Sequence, residues 1–444
     1  MNNKTENTGK QPSRSGLLIG IALAGVAAVV AIVLLKQHSG PAQSNESTVF
    51  STSSQNPEAG VHGNASAAKE TAKSGAKAVA PAGGTVGELI AQLTTQLKQP
   101  NASPEEQKKA VVALAKTCSP EALNALKAAF ANGSPEIRRM IAEGLGECSS
   151  PDAANLLISL LKDPDETVAG AAVRGLAQQG TGEAVAALTE LLNNGDASAA
   201  LRSDAALGLG DINQPGIMDI LAQAARQIQD EDIVSAVLHA IGERDFSETQ
   251  AFFQTYLHSP DISSDLRVAA IEALSAAKGD PSAFLADLGN DPDSDVRVAV
   301  GWSLSATEET GNVGAQIVAL LQSETDPDVR LRYYQALRNQ EDFDLPTVLG
   351  LVQNEKDPAA LVAGLDLLAK SVRDKPTPEL QNYFNNVAIP ELKQIALSTD
   401  NFENRQAAIL ALTRAHSPQA QAALTEIGTQ LAQSAPPPGA PPKK

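Results

Sequence analysis

Three stretches decide the fold: DLRVAAIEAL (265–274), DVRVAVGWSL (295–304) and DVRLRYYQAL (328–337). Each begins with an acid, an aliphatic residue and an arginine. An apolar or small residue follows three places after the arginine, and Leu follows seven places after it. EIRRMIAEGL (136–145) and ENRQAAILAL (403–412) repeat the arrangement, and ALRSDAALGL (200–209), DIVSAVLHAI (232–241) and TVAGAAVRGL (167–176) are weaker copies. The closing aliphatic residues are Leu114, Leu145, Leu176, Leu209, Ile241, Leu274, Leu304, Leu337, Leu368 and Leu412. Their separations of 31, 31, 33, 32, 33, 30, 33, 31 and 44 residues fall in the range of a solenoid repeat.

A second amphipathic segment precedes each copy, as in AANLLISLLKD (153–163), AVAALTELLNN (184–194), QAFFQTYLHS (250–259) and VGAQIVALLQS (313–323). Apolar residues at i, i+3, i+4 and i+7 give each segment one buried helical stripe. Asp-Pro, Asn-Gly and Gly break the helices at the joints. Each unit is therefore a helical hairpin, which buries its faces only by stacking on its neighbours.

These residues resemble HEAT repeats, of the short type first associated with phycobilisome lyases. The resemblance covers roughly residues 85–433 and rests on the Asp/Glu-x-Arg starts with their Ala and Leu positions. It implies an all-α, right-handed α-solenoid of about ten hairpins, with the arginine-bearing second helices on the concave side. Two departures stand out. Ala169 and Val234 replace the arginine in two copies, and the 44-residue step implies an insertion around Arg373–Pro390 that interrupts the regularity there.

Outside the repeats the composition changes. Residues 17–35 (LLIGIALAGVAAVVAIVLL) run without a charge and are long enough to cross most of a hydrocarbon core. Lys4, Lys10 and Arg14 precede them, which keeps residues 1–15 in the cytoplasm. The expectation is an uncleaved single-pass anchor at 16–36, with the solenoid on the periplasmic or extracellular side; a cleaved signal peptide is the alternative. Residues 37–84 read as a disordered linker and 434–444 as a Pro-rich disordered tail.

The chain has 444 residues and a formal net charge of −18, with two cysteines and 3% aromatics. An acidic balance argues against binding a phosphate backbone, so no nucleic-acid partner is expected. Residues 85–435 carry 25 basic and 48 acidic side chains, which points to protein partners of basic character. There is no H-E-x-x-H, P-loop, G-x-G-x-x-G or G-x-S-x-G, so no catalytic residue, metal site or cofactor is assigned. Leu207-Gly208-Leu209-Gly210-Asp211 falls inside a second helix, where the glycines read as close-packing residues.

Arg138, Arg202, Arg267, Arg297, Arg330 and Arg405 share one repeat position and read as a structural ladder, each able to pair with an acid of its own or the next repeat. Cys118 and Cys148 end consecutive second helices. Stacked helices lie about 8–10 Å apart, beyond the ~7 Å reach of a disulfide, so two reduced, half-buried thiols are expected over a bridge. The best binding candidates lie on an outward column of the second helices: Glu143, Arg174, Leu207, His239, Glu272, Trp302, Gln335 and Asp366. Glu243, Arg332 and Arg338 flank it. The set His239, Glu243, Glu272, Trp302, Arg332, Gln335 and Arg338 is the expected partner surface, because Trp and Arg are enriched at binding hot spots. The leading functional reading is a membrane-tethered, non-enzymatic scaffold. A bilin lyase-like enzyme and a self-associating envelope rod are the alternatives.

Overall fold

The computed structural model describes residues 86–434, apart from 98, 100–101, 307–310 and 399–400. The expected cytoplasmic segment, anchor, linker and the tail beyond 434 lie outside the described residues. Among the described residues no helix is long and apolar enough to cross a membrane.

The described residues are helical, with no strand among them beyond one isolated bridge between Asp245 and Lys278. The second helices of the hairpins are α2 (Pro104–Thr117), α4 (Pro135–Leu145), α6 (Glu166–Gln179), α8 (Ala199–Gly210), α10 (Glu231–Gly242), α12 (Ser264–Leu274), α14 (Ser294–Ala306), α16 (Pro327–Leu337), α18 (Pro358–Asp374) and α21 (Phe402–Ala415). The first helices are α1 (Val86–Leu97), α3 (Pro120–Asn132), α5 (Pro151–Leu160), α7 (Gly182–Asn193), α9 (Ile217–Gln227), α11 (Phe246–Leu257), α13 (Ser282–Asp287), α15 (Gly314–Ser323) and α17 (Leu345–Gln353). The tenth hairpin opens with α19 (Pro378–Tyr383), which continues through a π-helical turn (Phe384–Ala388) into α20 (Ile389–Leu397); α22 (Pro418–Ser434) closes the stack.

Local sequence sets the helix starts. Ser103, Ser119, Ser134, Ser150, Asp326, Asp357 and Thr377 cap a free amide of the first turn, and Pro follows each of them. A side-chain acceptor at the cap and Pro in the first turn satisfy amides that would otherwise have no partner.

The ten anchors form the spine of the core. Every one, from Leu114 to Leu412, is at most 1% exposed. Burying one Leu or Ile contributes about 1.5–3 kcal/mol. Small residues beside the anchors let the second helices approach closely: a Cβ on Gly175 would stand 2.9 Å from the Ala142 carbonyl oxygen, and one on Gly210 would stand 2.8 Å from the Ala240 Cβ. Gly208 and Gly210 thus pack helix against helix.

Each second helix packs along its length on the next one, whereas successive first helices touch over short lengths only. Closer spacing on one side bends the stack toward that side, so the second helices form its inner face.

The 44-residue step takes a helical form. α18 is 17 residues long, and the first helix that follows runs without a break from Pro378 to Leu397. The π-helical turn absorbs the register change inside it. α18 and α21 remain in direct contact across the insertion, so the spine is not interrupted.

Candidate functional site

The ladder arginines come first because they fix the spacing of the inner face. Arg138 donates to Asp163 (2.6 and 2.9 Å) and to the Gly133 carbonyl. Arg297 donates to Glu324 (2.7 and 3.1 Å) and to the Asp291 carbonyl. Arg330 donates to Glu355 (2.8 and 2.6 Å) and to the Leu321 and Glu324 carbonyls. Arg267 donates to Asp291 at 3.0 Å. Each acid sits at the joint of the following hairpin, so each pair clamps two repeats together.

The same acids shape their own joints. Asp163, Asp291, Glu324 and Glu355 each accept the backbone amide two residues on, from Asp165, Asp293, Asp326 and Asp357. Sequence reasoning named the arginines and missed these partners, though the signal is present as Asp/Glu-x-Asp: DPD (163–165), DPD (291–293), ETD (324–326) and EKD (355–357). Burial pushes the Glu324 carboxyl up, but Arg297 and the amides of Asp326 and Thr325 outweigh it and hold it below the ordinary glutamate range. Arg202 donates to the Leu192 carbonyl and Arg405 to the Ser398 carbonyl, in each case without a carboxylate partner among the described residues.

The cysteines correct an expectation. Cys118 and Cys148 form a disulfide, with Cα atoms 5.6 Å apart. The helix-spacing argument failed because neither residue lies within a helix. Cys118 takes a left-handed conformation as the cap of α2, and Cys148 follows the turn after α4. Both segments have left their helix axes there.

The outward column is exposed for most of its length. Arg174, Leu207, His239, Glu272 and Trp302 are exposed, Glu143 and Gln335 are half-buried, and Trp302 presents 42% of its surface. Among the described residues seven large apolar side chains are exposed, and three of them, Leu207, Trp302 and Leu410, lie on this column. His239 meets Glu243 at 3.2 Å on the same helix. Glu272 is exposed, and partial burial by surrounding atoms raises its carboxyl pKa.

Asp366 departs from the expected column: it is 8% exposed. Arg338 donates to it at 2.7 Å from α16, and Arg414 of α21 contacts its other oxygen. Arg332 donates to Gln335 at 3.0 Å, and its Cβ lies against Gly301 of α14. Arg332 and Gln335 therefore stand on α16 with Arg338 at its C-cap, Trp302 stands one hairpin earlier, Glu272 on α12, and His239 on α10 with Glu243 at its C-cap. Sequence reasoning missed Arg414. Tyr333 and Tyr334 are fully buried, and the Tyr333 hydroxyl donates to the Gly289 carbonyl at 3.0 Å. No group of His, Cys, Asp and Glu suited to a metal ion occurs among the described residues.

The class of protein follows from this geometry: an α-solenoid of stacked helical hairpins, of which residues 90–242 match HEAT repeats. The family model for HEAT repeats matches residues 90–169, 128–210 and 155–242. Among solved structures, the karyopherin Kap121p bound to the extreme C-terminus of the protein phosphatase Cdc14p is similar at 14% identity and a TM-score of 0.51. That match covers 81% of this chain and 44% of the karyopherin, so the chain spans less than half its length. An engineered protein matches at 20% identity over 74% of this chain and 99% of its own, with a TM-score of 0.32. Human deoxyhypusine hydroxylase matches at 18% identity over 68% of this chain and 96% of its own, with a TM-score of 0.26. No curated protein matches the sequence.

Proposed function

We propose that this chain is a membrane-tethered scaffold, held outside the cytoplasm, which binds protein partners along the inner face of its second helices. The observation that carries the reading is the outward column. Its side chains vary from repeat to repeat above a uniformly aliphatic buried spine, and it holds Leu207, Trp302 and Leu410 exposed. Extended concave faces are the surfaces solenoids offer to partners. Kap121p, which shares the fold, is seen bound to the extreme C-terminus of the protein phosphatase Cdc14p.

Two further observations favour the location. The uncharged stretch 17–35 follows basic residues, and the Cys118–Cys148 disulfide suits an oxidising compartment, since disulfides rarely persist in the cytosol.

A photo-crosslinking residue placed at His239 or Trp302 of the full-length chain in cells is expected to capture a discrete protein. The same residue at Thr189, on a first helix, is expected to capture none. Equal capture at all three sites would sink the inner-face reading. Proteolysis in spheroplasts but not in intact cells would place the solenoid outside the inner membrane; resistance in both would overturn that location.

A further inference from the structure

We infer that the inner face between α14 and α21 is a docking site for an extended peptide carrying carboxylates between apolar residues. This rests on the inner face being the docking surface, and it runs against the −23 net charge of residues 85–435, which alone would favour basic partners.

The first observation is positional. The residue directly after each anchor is Ala115, Gly146, Ala177, Gly210, Gly242, Ser275, Ser305, Arg338, Ala369 and Thr413. Nine are small, and the exception is Arg338. Five places before each anchor, Ala occupies six of the ten repeats, and repeat eight again has an arginine, Arg332. One second helix thus departs from the small residues of close packing twice, both times to a guanidinium.

The second is the charge arrangement. Arg338 and Arg414 share the single carboxylate of Asp366, so the cluster keeps one uncompensated positive charge. The side chains of Arg338 and Arg414 are 33% and 28% exposed, and that of Asp366 is 12% exposed. Among the described residues, neither guanidinium has a side-chain acceptor besides Asp366. Arg332 has Gln335 as its acceptor and feels Asp328 and Glu403 at longer range. Partly desolvated guanidiniums with open N–H groups pair well with a carboxylate in two-pronged geometry.

The third is the flanking apolar surface. Trp302 and Leu410, 42% and 36% exposed, lie on the same column on either side of Gln335 and Asp366. Three repeat steps of about 10 Å each separate them, a span that an extended peptide covers with about nine residues. The matching ligand has an apolar residue near each end and acids between.

The probe is a fluorescein-labelled twelve-residue peptide with leucines near both ends and four central glutamates, compared with a copy bearing lysines instead. The full-length purified chain is expected to bind the glutamate peptide, with affinity falling as salt rises. Arg338→Gln with Arg414→Gln should weaken binding about tenfold or more, the cost of losing charge-assisted hydrogen bonds. Asp366→Asn removes the internal competitor and should tighten binding, which guards against the arginine variant simply failing to fold. Tighter binding of the lysine peptide would overturn the inference and leave the scaffold reading standing. So would unchanged affinity in both variants. Binding of neither peptide would also overturn it, and the crosslinking at His239 and Trp302 would then judge the scaffold reading on its own.

Discussion

The two edges of the second helices join the repeats by opposite strategies. At the joint edge, where these helices begin, one device recurs: a ladder arginine reaches the acid of the next hairpin, at Asp163, Asp291, Glu324 and Glu355. At the far edge, where they end, the link varies along the stack. Cys148 bonds to Cys118. Gln179 donates to the Leu145 and Cys148 carbonyls, Arg244 to those of Gly210 and Ile212, and Asn339 to that of Ser305. The Phe246 amide donates to the Lys278 carbonyl, and the Lys278 amide donates to the Arg244 carbonyl. Apart from the disulfide, these links satisfy carbonyls left open at or beyond a helix C-terminus, and several chemistries can do so. The joint edge must also start a helix, and the acid that serves both purposes recurs.

The contrast breaks most sharply if a joint acid is removed. Glu355→Ala leaves Arg330, whose side chain is 15% exposed, without its carboxylate and strips the Asp357 amide of its acceptor. Uncompensated buried charge makes this the largest effect, about 3–4 kcal/mol in urea unfolding. A loss below about 1 kcal/mol would show that the ladder is decorative.

The disulfide tests the far edge. Reduction, or Cys118→Ala with Cys148→Ala, releases a link 30 residues apart in sequence and should cost about 2–3 kcal/mol. Because repeats unfold as neighbours rather than as one block, the loss should concentrate in α2, α3 and α4. Hydrogen exchange resolves it: uniform loss from α2 to α22 would contradict local coupling.

The same contrast explains what was legible. A spine with a period of 30–33 residues can be read from one chain, because Leu114 through Leu368 repeat one physical requirement. The six ladder arginines were legible for the same reason. Their acids were not, since the reading stopped at the helix start and the acid lies two residues before the cap of the next hairpin. Far-edge links follow no period, and a rule drawn from helix axes misjudged the cysteines, which sit where the axes have ended. The exposed column was readable as far as Trp302 and Gln335. It failed at Asp366, because the arginine that covers it from beyond, Arg414, enters from across the insertion.

A milder test is Gln179→Ala. Its amide serves two carbonyls of the preceding repeat from a site only 9% exposed. Losing both bonds should cost about 1–2 kcal/mol, less than the disulfide beside it. A larger loss than that of the cysteine pair would reverse the ranking of links along this edge.

The smallest effect is a difference in acid response between two rungs of one ladder. Glu324 is held below the ordinary carboxyl value of 4.5 in the folded chain. A lowered folded pKa means that its stabilisation is complete above about pH 4.5 and is lost as pH falls through the folded value. Arg202, which among the described residues bonds only the Leu192 carbonyl, has no carboxylate there to lose. Its neighbour Asp204 is shifted upward by burial, with Glu166 adding to the rise and Arg174 opposing it, so protonation there relieves a penalty. Between pH 5.5 and 3.5, amides of α14, α15 and α16 should therefore lose protection relative to those of α7 and α8, by roughly tenfold or less after correction for intrinsic exchange. Glu324→Gln should flatten the response of the first group, and Arg202→Gln should leave the second unchanged in pH dependence while lowering its protection slightly. If both groups softened in parallel on acidification, the pH response would belong to net charge rather than to individual rungs, and the two kinds of ladder contact would be equivalent.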